Sequence, residues 1–196
     1  MIQNLNEELF SFIKKSPTGF HAVHELANYL TEAGFERLAE GNTWNLAEGG
    51  KYFVTRNQSA IIAFKVSRKD YSGFHIAASH SDSPTLKIKE SSEMNIENQY
   101  VKLNVEKYGG MLCAPWFDRP LSVAGRIIVK DGNRLTTKLI NVDRDLLTIL
   151  IVFVTVPYLR SYSCPYFNMK PRIKVPLPDL FRKFQKNVRI ITEIIF

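Results

Sequence analysis

His80-Ser81-Asp82-Ser83-Pro84 sets an imidazole and a carboxylate two residues apart, directly after a short apolar run. Imidazole is a common zinc ligand, and a carboxylate beside it can orient the ring and tune a metal site. The same pair also reads as a loop histidine hydrogen-bonded to its neighbour, with no metal involved. His21 and His24 stand three apart, close enough on a helix to share a metal, but no carboxylate accompanies them in a motif. His75 lies inside the apolar run and reads as a satisfied structural histidine. Asp118-Arg119 and Asp143-Arg144-Asp145 put carboxylates beside guanidinium groups, the pattern of structural ion pairs. Cys113 would need a positioned base to act as a nucleophile, and the sequence names none. No Gly-x-Gly-x-x-Gly, P-loop or Gly-x-Ser-x-Gly occurs, so nucleotide binding and a serine-hydrolase elbow have no support.

The elements that must carry these residues are partly legible from periodicity. Leu5, Leu9, Phe10, Phe12 and Ile13 form a helical stripe over residues 4–15 that ends before the turn Ser16-Pro17-Thr18-Gly19. Val23, Leu26, Ala27, Leu30 and Ala33 recur at three- and four-residue steps in a second helix, with Gly34 placed as its left-handed stop. Residues 44–46, 51–55 and 60–66 read as strands. Residues 73–79 read as a strand buried on both faces that delivers His80 and Asp82 to its end. Beyond Glu90 the pattern turns β-rich, with strands over 101–105, 124–129 and 135–142 and a domain boundary near residue 90. No internal repeat appears.

Composition bounds the function classes. With 45% hydrophobic and 23% charged residues in 196, the chain is globular in type and can bury a core without disulfide or metal staples. Cys113 and Cys164 are far apart with no Cys-x-x-Cys spacing, so they read as reduced thiols. The beginning of the chain carries acids and no long apolar run, so neither a secretory signal nor a membrane anchor is expected, and the expected location is the cytoplasm. The net charge of +7 is concentrated: residues 1–150 hold 18 basic against 17 acidic side chains, and residues 151–196 hold 8 against 2. That tail also lacks glycine and alanine altogether, so something changes near Leu150. A basic tail with Phe181 and Phe184 among its lysines and arginines could contact phosphates and stack on bases, a nucleic-acid reading held as the minor alternative.

Taken together the motifs resemble a known family. Ser16-Pro17-Thr18-Gly19-Phe20-His21-Ala22-Val23, Gly50-Lys51-Tyr52-Phe53-Val54-Thr55-Arg56-Asn57 and Ala78-Ser79-His80-Ser81-Asp82-Ser83-Pro84 are similar, in order, to segments of the M18 zinc metalloaminopeptidases, the aspartyl aminopeptidases. Val105-Glu106-Lys107-Tyr108-Gly109-Gly110, the stretch from Trp116 to Arg126 and Asn141-Val142-Asp143-Arg144-Asp145-Leu146-Leu147 continue the resemblance. It implies a two-zinc exopeptidase that removes N-terminal residues, preferentially acidic ones, from peptide substrates within a large homo-oligomer. His80 would then be a zinc ligand and Asp82 the aspartate that orients it. Zinc would polarise the scissile carbonyl and acidify a bound water, with a glutamate as general base. The family's glutamate, its remaining ligands and an Ile-His-x-Asn-Arg motif fall downstream of the matching segments. Here Thr148-Ile149-Leu150-Ile151-Val152-Phe153 follows instead, and no histidine occurs after His80.

The expected fold is therefore α/β: residues 1–90 as the N-terminal part of a zinc-exopeptidase (phosphorylase/hydrolase-like) domain, and 91–150 as the start of an inserted β-rich oligomerisation domain. Residues 151–196 are expected to be an atypical basic tail, read in a shifted frame or belonging to a disrupted gene. The expected chain is a truncated aminopeptidase, inactive alone, holding at most part of a zinc site, poorly soluble, and binding neither membrane nor nucleic acid. The alternative from another class is a non-catalytic module that pairs with a full-length relative.

Overall fold

The computed structural model describes residues 2–67, 70, 72–98, 100–149 and 188–195. Its contacts divide it into two compact units, residues 1–83 and 84–196. The expected junction near residue 90 falls inside a strand of the second unit.

The first unit opens with two helices, α1 (Ile2–Lys15) and α2 (Gly19–Glu32). The Ser-Pro-Thr-Gly turn separates them because Thr18 is extended, at φ −137°, and its hydroxyl accepts from the His21 amide to cap α2. Thr18 Oγ1 also lies 2.8 Å from His21 Nδ1, and both side chains are buried. At the other end Gly34 takes φ +79°, the Gly34 amide donates to the Thr31 carbonyl and the Phe35 amide to the Leu30 carbonyl. That is a Schellman stop, as the position of Gly34 predicts.

Burial holds the His21 imidazole below its ordinary value of 6.5, with nearby His24 lowering it further and Glu25 opposing. The unfolded chain therefore binds this proton more readily than the native one, and stability rises with pH across that window. The contribution is complete above about pH 6.5 and is lost as pH falls toward the depressed native value. Melting curves followed downward from neutral pH should show this loss, and His21→Gln should flatten it. Thr18→Ala removes the cap and the partner of His21 together and is expected to cost about 1–2 kcal/mol in a denaturant titration.

Three strands follow: β1 (Glu36–Leu38), β2 (Lys51–Arg56) and β3 (Ala60–Lys65), in the order β1-β2-β3. β1 runs parallel to β2, and β2 pairs with β3 as a hairpin from Lys51↔Lys65 to Arg56↔Ala60. Asn57 and Gln58 both take positive φ, 51° and 58°, in the turn between them. Phe53 is 1% exposed and anchors the hairpin, while β1 is a short pairing that the sequence pattern did not indicate.

Two sequence expectations fail in this unit. Residues 44–46 are not a strand: Trp44 stacks on Phe64 at 6.1 Å and donates its indole N–H to the Ala39 carbonyl, so its apolar bulk anchors a loop. Residues 73–79 lie in no strand among the described residues, and they are exposed, with Phe74 at 76% and Ile76 at 85%. His75 is exposed too, not enclosed as expected. The run has the composition of a buried strand, but burial requires neighbours on both sides, which a local pattern cannot supply.

The second unit is a five-stranded antiparallel sheet of β4 (Thr85–Ile96), β5 (Tyr100–Tyr108), β6 (Ser122–Asp131), β7 (Arg134–Asn141) and β8 (Val188–Ile195). The strand order is β5-β4-β8-β6-β7. β6 and β7 are joined by the two-residue turn Gly132-Asn133, in which Gly132 takes φ +57° at the first position. β4 carries an irregularity between Ile88 and Glu93, where its register against β5 shifts. Ile88, Leu103, Trp116, Leu121, Val123, Leu147 and Ile149 form the core. β8 comes from the basic tail: it pairs with β6 over its whole length, from Val129↔Val188 to Ser122↔Ile195, and with β4 at Leu86 and Lys87. The remainder of the tail, including Cys164 and the stretch with Phe181 and Phe184, lies outside the described residues.

Candidate metal centre

His80 and Asp82 sit in the first unit, just before the point where the chain passes to the second. The His80 side chain is 80% exposed and that of Asp82 52%. His80 Nδ1 lies 2.6 Å from the Asp82 main-chain carbonyl oxygen and 3.3 Å from Asp82 Oδ1. Both oxygens can only accept, so Nδ1 carries the proton and donates. In the neutral ring the lone pair is then on Nε2, directed away from Asp82, which is the arrangement of a histidine prepared to ligate a metal. The carbonyl makes the shorter contact and the carboxylate the longer one, so the residue at position 82 engages the ring through its backbone as well as its side chain.

The loop bearing this pair is held by its middle residue. Ser81 Oγ donates to the Ser59 carbonyl at 3.0 Å, tying residue 81 to the far end of the β2–β3 turn. The start of α2 also lies against this loop: a Cβ built on Gly19 would lie 3.2 Å from the Ser81 carbonyl oxygen and 3.8 Å from Asp82 Cα. These two supports join segments about 20 and 60 residues apart in sequence, and no motif spacing points to them.

The donor set at this place fits one histidine ligand of a metal centre. Among the described residues no group of three His, Cys, Asp or Glu side chains converges to hold a metal. His21 Nδ1 lies 2.8 Å from Thr18 Oγ1 and is buried, whereas His24 is exposed. A shallow pocket of about 320 Å³, lined by Arg37, Leu38, Ala39, Glu40 and Thr55, does not include His80. There Arg56 pairs with Glu40 and holds its carboxyl below the usual carboxylate range, chiefly through the hydrogen bond.

The other acid–arginine clusters serve the second unit's architecture. The Arg119 guanidinium donates to the Pro115 carbonyl at 3.0 Å, and the Asp118 amide, from a residue at φ +49°, donates to the Ile149 carbonyl at 2.8 Å. The Arg144 amide reaches Ser122 Oγ at 3.4 Å. These contacts tie both motifs into the second unit. Cys113 is an exposed free thiol. No helix among the described residues is long and apolar enough to cross a membrane.

The chain is similar to known proteins over most of its length. Residues 12–154 match the family model described as aminopeptidase I zinc metalloprotease (M18). A probable M18 family aminopeptidase 2 from Clostridium acetobutylicum is 48% identical over 147 residues, covering 73% of this chain and 34% of that protein. The structure of Chaetomium thermophilum mApe1 superposes with a TM-score of 0.70 at 38% identity, over 76% of this chain and 35% of that one. The S. cerevisiae mApe1 dodecamer superposes with a TM-score of 0.69 at 25% identity, over 94% of this chain and 41% of that one. The chain spans about a third of the length of the curated relatives it matches. Its mixed α/β fold and a family match across most of its length establish that the chain belongs to the M18 family of metalloaminopeptidases.

Proposed function

We propose that this chain supplies part of a zinc-dependent aminopeptidase site, with His80 as a zinc ligand and Asp82 as the residue that orients it. The observation that carries this reading is the His80–Asp82 geometry: Nδ1–H is engaged at 2.6 Å, which leaves the Nε2 lone pair for a metal. When bound, zinc supplies a Lewis acid for the scissile carbonyl and lowers the pKa of a water. Asp82 keeps the His80 ring from rotating and keeps its proton on the nitrogen remote from the metal. Substrates are peptides with acidic N-terminal residues, and the working form is a homo-oligomer with two zinc ions per site. A single histidine cannot hold a two-zinc site, so the 196-residue chain alone is expected to turn over no substrate.

The test is a graft in which residues 12–154 replace the matching segment of the intact Clostridium acetobutylicum relative. The graft should release the first residue of an aspartyl peptide and lose that activity to a chelator. A graft that folds and assembles like its parent yet releases nothing would contradict the proposal. The ungrafted 196-residue chain should show no release under the same assay.

A further inference from the structure

We infer that Gly19 and Ser81 are positioning residues for His80, clamping the loop on which the His80–Asp82 pair is built. The inference rests on the zinc reading for its purpose, but its geometry stands by itself. Ser81 is the residue between the two members of the pair. Its hydroxyl donates to the Ser59 carbonyl at 3.0 Å, which fixes the loop to the β2–β3 turn. Its own carbonyl faces Gly19 so closely that a Cβ there would stand 3.2 Å away, tighter than an ordinary van der Waals contact. Gly19 is the first residue of α2, and that helix start is itself fixed by the buried Thr18 cap and its 2.8 Å contact with His21.

The glycine is not required by its backbone conformation, because the neighbouring start of α2 is ordinary helix. It is required by space: the peptide linking Ser81 to Asp82 lies where a Cβ on residue 19 would press on it. Moving that peptide moves the Asp82 carbonyl oxygen, the acceptor of the His80 Nδ1–H bond at 2.6 Å. A shift of a few tenths of an ångström at Ser81 therefore acts on which ring nitrogen of His80 holds the proton. Neither residue needs to touch a metal or a substrate for this. Their role is to keep one tautomer, and so one lone pair, in place before a metal arrives.

The test is ring-¹⁵N NMR of the full 196-residue chain labelled at histidine, at a mildly alkaline pH where imidazole is neutral, with the His80 signals assigned through His80→Gln. The wild-type ring is expected as the Nδ1–H tautomer. Ser81→Ala and Gly19→Val should shift it to a mixture dominated by Nε2–H, and Ser81→Thr, which keeps a hydroxyl, should restore the wild-type pattern. Gly41→Val, at a site with nothing within 4 Å of the new Cβ, should leave it unchanged. Unaltered His21 signals report that α2 is intact in each variant. If Gly19→Val unfolds the first unit, the Ser81→Ala and Ser81→Thr pair decides alone. A wild-type Nε2–H tautomer, or a Ser81→Ala spectrum identical to wild type, overturns the inference. Adding zinc to the wild-type chain separates the two readings: an Nε2 resonance indifferent to zinc would remove the zinc assignment and leave the positioning result standing.

Discussion

Replacing His80 by alanine in the grafted enzyme is expected to reduce peptide release to the chelated baseline, the largest functional effect of any single change in this segment. The ring is the sole imidazole presented beside Asp82, and a zinc centre deprived of one nitrogen ligand loses both its geometry and the charge balance that acidifies its water. Asp82→Asn is a graded companion. It retains the main-chain carbonyl that accepts from Nδ1 at 2.6 Å and alters only the carboxylate at 3.3 Å. It should lower kcat/KM by roughly 10–100-fold, the usual consequence of disturbing a ligand's hydrogen-bonded support. Steady-state assays of the two variants beside the parent graft check both expectations. Equal losses for both would mean that the carboxylate itself is indispensable, and no loss for His80→Ala would remove His80 from the site.

The largest stability effect is expected at Trp116. It is 6% exposed and packs with Ile88, Leu103, Leu121, Val123, Leu147 and Ile149, so Trp116→Ala opens a cavity the size of an indole in the centre of the second unit's core. Phe- or Trp-to-Ala changes at such sites cost about 3–5 kcal/mol. The surrounding frame has little room to collapse inward. The Leu121 amide donates to the Leu147 carbonyl at 2.9 Å, the Leu146 and Leu147 amides both donate to the Leu121 carbonyl, and the Asp118 amide is tied to Ile149. A urea titration should place the variant's midpoint well below that of the parent. Trp116→Phe, which refills most of the volume, should recover more than half of the loss.

What the sequence made legible was mostly local. The end of α2 could be read because Gly34 acts within a turn of the helix it stops. The strands on either side of Asn57-Gln58 and of Gly132 were readable as separate runs divided by turn residues, though not their pairing. Residues 44–46 and 73–79 defeated the same reasoning, since apolar composition says that a segment has something to bury against and not whether it finds it. Trp44 stacks on Phe64 and stays a loop, whereas Ile76 is 85% exposed.

β8 is the reverse case. The composition break after Leu150 set the tail apart from the family pattern, yet residues 188–195 occupy the place between β4 and β6. Strand pairing is made by backbone amides and carbonyls, so a segment rich in isoleucine and valine can complete a sheet without matching any family motif. At the candidate site His80 and Asp82 were singled out from the sequence, their two-residue spacing leaving both a metal ligand and a plain loop contact open and the family resemblance alone giving them roles. Gly19, Ser59 and Ser81 were not, because only the fold brings a helix start and a hairpin turn to the same loop.

The most direct test of the central claim is to locate the metal by anomalous scattering at the zinc edge in crystals of the grafted enzyme. The expected result is a zinc peak about 2.0–2.1 Å from His80 Nε2, with Nδ1 still against the Asp82 oxygens. A zinc centre fully coordinated elsewhere, with His80 Nε2 facing no metal, would contradict it.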